Sequence, residues 1–208
     1  YIANTDFNDY QYEMAYETYI INPHPTTPNQ FVSNVSPGGN YYQDFYSTSN
    51  GYNGKITANV ASSYKNKLFL GLNLNAHFTD YVVTTSLYEN NNNPLNPNTQ
   101  PTISNIVFDN QLSTYGSGFS FNLGAIYKVT NSFRLGASYE SPTWYNLNDE
   151  LVQDLYTYDN VNVHSGDESR YFGSPIFIFP TYRLRTPSKI TGSATYIFNK
   201  KGLISIDL

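Results

Sequence analysis

Apolar and polar residues alternate with a period of two along the stretch 118–139. The alternation is interrupted at 130–132, where Thr, Asn and Ser are typical of a turn. Because successive side chains of a strand point to opposite faces, this pattern predicts an antiparallel hairpin with one apolar and one polar face. The apolar positions are Phe119, Phe121, Leu123, Ala125, Tyr127, Phe133, Leu135, Ala137 and Tyr139.

Two further hairpins follow the same pattern. In the first, two alternating arms flank a short turn at 65–67, and in the second they flank a turn at 199–202. Six strands in three hairpins are therefore predicted. Their apolar positions are Ile56, Ala58, Val60, Leu68, Leu70, Leu72, Leu74, Ala76, Phe78, Ile190, Ala194, Tyr196, Phe198, Ile204, Ile206 and Leu208.

Long stretches without alternation separate the hairpins. The sequence predicts loops over 1–52, over 80–115 with its Asn-rich run at 90–98, and over 142–185, which could hold a seventh and an eighth strand. Within the first loop, Phe7, Tyr10, Met14 and Ile21 lie near helical spacing. A short amphipathic helix is therefore the alternative to an irregular loop there.

The connections alternate between short turns and long loops. Outer-membrane barrels have short periplasmic turns and long extracellular loops, and each apolar face here spans about 10 residues, which is enough to cross the hydrocarbon layer. The sequence therefore predicts an all-β chain that forms part of an antiparallel transmembrane β-barrel. A soluble all-β domain is the alternative. We treat 1–208 as a single domain, with 1–52 as an extracellular loop region and 53–208 as strands in hairpins.

Charged and aromatic residues follow the same division. Tyr64, Tyr127 and Phe198 fall near the turn end of their strands, where barrels carry an aromatic girdle. Acidic residues lie mainly in or beside the long loops. Basic residues lie at or near the short turns: Lys65, Lys67, Lys128, Arg134, Lys200 and Lys201.

Composition narrows the possible functions. Hydrophobic residues make up 39% of the chain and the mean hydropathy is -0.46, and no run approaches the ~20 apolar residues of a membrane helix. There is no cysteine for disulfide or thiolate chemistry. The net charge of -5 argues against a nucleic-acid partner. The 21 tyrosines suit an interface that is apolar on one side and wet on the other.

Three stretches resemble a known family of membrane proteins. GFSFNLGAIYKVTNSFRLGASYESP and YRLRTPSKITGSATYIFNKKGLISIDL are similar to paired strands of the FadL-type outer-membrane transporters of hydrophobic compounds. NGKITANVASSYKNKLFLGLNLNAHFTDY resembles the preceding hairpin in the Bacteroidetes branch of that family. The resemblance implies that the chain is an internal fragment, of about six to eight strands, of a fourteen-stranded barrel.

The resemblance also implies a function. FadL-type proteins take up long-chain fatty acids and other hydrophobic small molecules across the bacterial outer membrane by passive diffusion, so a hydrophobic ligand and outer-membrane lipid are the expected partners. A barrel of the same family could instead serve as a docking or shuttle subunit of a type IX-like secretion machinery, with a protein bound by its extracellular loops. A soluble β-sandwich binding module is a third possibility.

Two sets of residues are candidates for a site. The polar face of the hairpins is expected to line the lumen through Asn73, Asn75, His77, Asn122, Arg134 and Glu140, either to orient a polar head group or simply as a solvated interior. The aromatic run at 171–180 suggests a landing groove for a hydrophobic ligand, or a strand that packs on its neighbour. The candidate ligand-binding residues are Trp144, Tyr145, Phe172, Ile176, Phe177 and Phe179.

The sequence offers little for catalysis or metal binding. Ser165 and Asp167 beside His164 are chance neighbours, because the members of a triad meet from separate elements. His24 and His164 lack ligand-like spacing. The acidic pairs Asp149–Glu150 and Asp167–Glu168 could hold a divalent cation, although solvated charge is the ordinary interpretation. We therefore expect no enzyme activity, no cofactor and no metal.

Overall fold

The computed structural model describes residues 7–94, 102–159, 169–199 and 201–208, and only the backbone at 7–9 and 169. One helix, α1 (Phe7–Glu17), comes first. Twelve strands follow within the described residues: β1 (Ile21–Pro23), β2 (Phe31–Ser33), β3 (Tyr41–Tyr64), β4 (Leu68–Asn91), β5 (Ile103–Lys128), β6 (Phe133–Glu140), β7 (Trp144–Asp159), β8 (Ser169–Gly173), β9 (Phe177–Ile178), β10 (Tyr182–Arg185), β11 (Lys189–Phe198) and β12 (Gly202–Asp207).

The strands pair in an antiparallel manner. β1 and β2 form a small sheet of their own, and β3 to β12 belong to a second sheet. In that sheet β4 pairs with β3 and β5, β5 also pairs with β6 and β7, and β11 pairs with β6 and β12. The predicted all-β, antiparallel class is thus confirmed.

The three predicted hairpins are present, with the register that the alternation requires. In β5–β6, Tyr127 faces Leu135 and Leu123 faces Tyr139, so apolar positions of both arms share one face. In β11–β12, Tyr196 faces Ile204. A shift of one residue would have placed these side chains on the opposite face.

The strands extend further than the sequence predicts. β3 begins at Tyr41, within the predicted loop 1–52, and β4 and β5 leave only 92–102 of the predicted loop 80–115. The predicted loop 142–185 is largely strand as well, with β7 to β10. In these parts apolar and polar residues do not alternate regularly, so no period of two reveals the strands. They are held by ladder bonds and by cross-strand contacts such as Gln43 Nε2 donating to Glu89 Oε2 at 2.5 Å.

Turn chemistry explains the tight hairpin between β3 and β4. Lys65 and Asn66 have φ values of 48° and 54°, and the Lys67 N–H donates to the Tyr64 carbonyl at 3.0 Å. Positive φ at both central residues is the backbone twist that closes a two-residue hairpin, and Asn tolerates it well. The predicted turn at 65–67 is confirmed.

Of the two interpretations of the N-terminal region, the helix is the one observed. α1 ends where Tyr19 adopts a φ of 60° and its N–H donates to the Tyr16 carbonyl at 3.0 Å. The Thr18 side chain donates to the Met14 carbonyl at 2.7 Å. These bonds satisfy carbonyls that the last turn of a helix leaves free.

The chain divides into two compact units. Unit 1 comprises Tyr1–Asn50, Val82–Ser113 and Asp149–Phe179, and unit 2 comprises Gly51–Tyr81, Thr114–Asn148 and Pro180–Leu208. Unit 1 has an apolar core formed by Tyr10, Met14 and Leu155. Unit 2 contains the three hairpins, and its described side chains with the least exposure are mostly polar.

Two proline-containing breaks interrupt adjacent strands of unit 2. Residues 141–143 separate β6 from β7, and 186–188 separate β10 from β11. Hydroxyl groups replace the missing ladder bonds: Ser141 Oγ accepts from the Phe121 N–H at 2.8 Å, and Thr186 Oγ1 accepts from the Thr143 N–H at 2.8 Å. The strands therefore remain hydrogen-bonded at these breaks, although proline has no N–H to donate.

Candidate functional site

The polar face of unit 2 contains a hydrogen-bonded network centred on Asn75. Its side chain is 2% exposed. Asn75 Nδ2 donates to Ser120 Oγ at 3.1 Å and to Asn122 Oδ1 at 2.7 Å, while Asn75 Oδ1 accepts from the Thr57 hydroxyl at 2.8 Å. An amide offers two donors and one acceptor oxygen, so both of its ends are used.

His77 extends this network along β4. Its Nε2 lies 2.8 Å from Ser120 Oγ, and its Nδ1 lies 3.4 Å from the Tyr145 hydroxyl. The two rings meet edge to face with centroids 5.7 Å apart. The ring of Tyr145 thus fixes the orientation of the imidazole.

The structure brings some of the predicted lumen residues together. Asn75, His77 and Asn122 belong to the network, and Asn73 accepts a bond from Asn59 Nδ2 on the neighbouring strand. Arg134 has a buried Nε without a hydrogen-bond partner, whereas Glu140 is exposed and its Cα pairs with that of Lys189. The prediction missed Thr57 and Ser120, although both lie on polar positions of the alternation.

The groups of the network are amides, hydroxyls and an imidazole. Such groups can donate to and accept from a polar ligand without placing a fixed charge beside an apolar one. Their bonds to one another hold each side chain in one orientation. The network can therefore orient a polar group of a ligand, because its own side chains are held by hydrogen bonds to one another.

Unit 1 contains an aromatic cluster beneath α1. The ring of Tyr10 lies 4.9 Å from that of Phe177, edge to face, and 5.6 Å from that of Phe172. The Tyr10 hydroxyl donates to the Gly173 carbonyl at 3.4 Å. Burial and the nearby carboxylates of Glu13 and Asp154 raise the pKa of Tyr10 to about 12.

The six predicted ligand-binding residues do not form one cluster. Phe172 and Phe177 pack against the core of unit 1, whereas Ile176 and Phe179 in the same unit stay exposed. Phe172 and Phe177 therefore agree with the alternative in which the aromatic run packs against neighbouring elements. The sequence did not reveal the partner that covers them, because Tyr10 lies more than 160 positions away.

Trp144 and Tyr145 belong to unit 2. Trp144 is partly exposed and lies nearly parallel to Phe121, with ring centroids 6.3 Å apart. Tyr145 joins the polar network through His77. Successive residues of a strand point to opposite faces, so these two predicted residues cannot serve one site on a single face.

Charge is divided unequally between the two units. By sequence, unit 1 holds 13 of the 16 acidic residues and one of the 11 basic residues, for a formal charge of -12. Unit 2 holds the remaining 3 acidic and 10 basic residues, for a formal charge of +7. The net charge of -5 therefore conceals two strongly charged units of opposite sign.

Residues 160–168 lie outside the described part of the chain, so His164 and the pair Asp167–Glu168 have no structural account. Among the described residues, no helix has the length and apolar character required to span a membrane. No protein-family model matches the chain, and no curated protein matches it significantly.

Proposed function

We propose that the chain forms part of the wall of an outer-membrane β-barrel that takes up hydrophobic small molecules, such as long-chain fatty acids, by passive diffusion. The observation that carries this proposal is the reversed polarity of unit 2. Many of its apolar side chains are exposed, and its least exposed side chains include Asn75 and Ser120. A sheet folded for water has the opposite arrangement, with the apolar face covered.

The apolar face is extensive. Ile190 is 77% exposed and Leu123 is 46% exposed. Covering a side chain of this size is worth ~1.5–3 kcal/mol, so leaving many of them in water would be costly. Lipid chains provide the cover instead. The exposed apolar positions of the hairpins include Ile56, Val60, Leu70, Leu74, Leu123, Leu135, Ile190, Ile204 and Ile206.

Connections and aromatic residues support the same proposal. Turns of four residues or fewer close the three hairpins, whereas 92–102 joins β4 to β5. The exposed rings of Tyr64, Tyr127 and Phe198 lie at the turn ends of β3, β5 and β11. Aromatic rings at this height suit the boundary between lipid and water.

The substrate class rests on the resemblance to FadL-type transporters and on exposed aromatic residues. Trp144 is the single tryptophan of the chain, so its fluorescence reports on one position. In lipid vesicles, a brominated fatty acid that binds near it should quench the emission in a saturable manner. The variant Trp144→Phe gives the background signal.

Uptake itself is tested by measuring the entry of oleate into lipid vesicles that contain the full-length natural protein. Vesicles with protein should fill faster than vesicles without it. The proposed substrate class would be excluded if the protein is correctly folded, its fluorescence is not quenched in a saturable manner, and oleate enters its vesicles no faster. Protein that stays in aqueous solution without detergent would exclude the membrane location.

A further inference from the structure

A second surface, unrelated to the polar network, lies on unit 1. The outer side of α1 and the β1–β2 hairpin carries a groove of about 590 Å³, lined by Tyr12, Glu13, Tyr16, Ile21, Pro23 and Phe31. Tyr12 is 69% exposed and Phe31 is 59% exposed. Aromatic rings with a polar edge are the side chains that most often anchor a bound partner.

Carboxylates accompany these rings. Tyr12 and Tyr16 are one helical turn apart, and so are Glu13 and Glu17. The last turn of α1 contains no basic residue. A helix C-terminus carries partial negative charge, so Glu13 and Glu17 add to a negative helix end that attracts cations. One cation, the Arg170 side chain on the Tyr19 ring, is already bound just past this end.

The rest of unit 1 adds to this negative charge. By sequence the unit has a formal charge of -12, with Arg170 as its one basic residue, and a charge of this size attracts cations. A polybasic segment gains from many of these carboxylates at once, whereas a small monovalent cation gains from the nearest one or two. Charge complementarity therefore favours a basic protein segment as the occupant of the groove.

Unit 1 itself shows how such a segment would be recognised. The guanidinium carbon of Arg170 lies 3.5 Å from the centroid of the Tyr19 ring, just past the end of α1. A planar guanidinium stacks on an aromatic face better than an ammonium does, while its N–H groups remain free to reach a carboxylate. Tyr12 and Tyr16 present further aromatic rings in the groove, and Glu13 lines the same groove.

We propose that this groove is a docking surface for an arginine-containing segment of a basic protein partner. An arginine side chain stacks on Tyr12 or Tyr16 and donates hydrogen bonds to Glu13, and apolar neighbours in the segment contact Phe31 and Ile21. The inference does not depend on the uptake proposed above. Fatty-acid uptake and peptide binding can each fail without the other.

Binding is tested with fluorescein-labelled octa-arginine, octa-lysine and octa-glutamate, added to the folded protein at 0.15 M salt, where unspecific attraction is screened. Octa-arginine should bind more tightly than octa-lysine, and octa-glutamate should not bind. Tyr12→Ser and Glu13→Gln should each weaken octa-arginine binding about tenfold, as expected for a lost cation–π contact or charge pair.

Matched controls separate the groove from the general field. Asp44→Asn changes the charge of unit 1 by the same amount as Glu13→Gln, and Phe45→Ser removes a ring that is 62% exposed outside the groove. Both controls should alter binding less than twofold. Circular dichroism before each titration verifies that every variant is folded.

Several results would overturn the proposal. One is no octa-arginine binding by the wild type. Others are equal losses for Glu13→Gln and Asp44→Asn, equal affinity for the two basic peptides, or an unchanged affinity in Tyr12→Ser. Full displacement of the peptide by millimolar tetramethylammonium or Ca²⁺ would assign the groove to a small cation instead.

Discussion

The polarity of unit 2 leads to a prediction about a single pair of residues on β5. Leu123 and Ile126 are 46% and 50% exposed, so in water a substitution at either position should have a similar effect on stability. The two residues are three positions apart, so their side chains lie on opposite faces of the strand. Leu123 belongs to the apolar face, while Ile126 is the one large apolar residue among the polar positions of this arm.

An arginine at each position should distinguish lipid from water. Leu123 is five residues before the end of β5 at Lys128, which at ~3.3 Å per residue and a tilt of ~45° places it ~12 Å from the turn, near the middle of a ~25 Å apolar band. Arginine on the lipid face at this depth costs ~2–4 kcal/mol. On the polar face, Ile126→Arg should change stability by less than ~1 kcal/mol.

The assay is urea unfolding of the protein in phospholipid vesicles, followed through the fluorescence of Trp144. Leu123→Arg should reduce the free energy of unfolding by ~2–3 kcal/mol more than Ile126→Arg, a ratio of ~30–150 in the equilibrium constant. Equal effects would refute a lipid-facing apolar side. A larger cost for Ile126→Arg would show that the two faces have been assigned the wrong way round.

Three further predictions concern the stability of each unit. A Cβ added to Gly116 would lie 2.2 Å from the Asn146 carbonyl oxygen, whereas a Cβ added to Gly71 would meet no neighbouring atom within 4 Å. Chemical unfolding should therefore show Gly116→Ala to be ~1–3 kcal/mol less stable than the wild type and Gly71→Ala to be nearly unchanged. Ser141→Ala removes the acceptor of the Phe121 N–H and should cost ~1–3 kcal/mol, with recovery in Ser141→Thr; equal stability of all three proteins would contradict this. Because the pKa of Tyr10 is raised from 10.0 to about 12, the unfolded chain loses this proton first as the pH rises, and the free energy of unfolding should fall by up to ~3 kcal/mol between pH 10 and 12. Tyr10→Phe should lessen that fall, and an identical pH profile of the variant would exclude this explanation.

The sequence by itself determined the hairpins and the character of their faces. Period two fixes which side chains share a face, so the pairing of Leu123 with Tyr139 and of Tyr127 with Leu135 follows from the alternation and the short turn. The polar positions around Asn75 followed in the same way. Local pattern suffices here because each partner lies within one hairpin or on the next strand.

Only the tertiary structure decided the extent of β4, β5 and β7 and the place of the aromatic run. The apolar residues in the extended parts of these strands, such as Val82, Val83 and Ile106, follow no period of two, so the sequence pattern does not reveal them. The strands are stabilised by ladder bonds and by packing against neighbouring elements. Phe172 and Phe177 pack beneath Tyr10 of α1 because the fold brings together residues more than 160 positions apart. No spacing within the run shows whether a ligand or a helix will cover it.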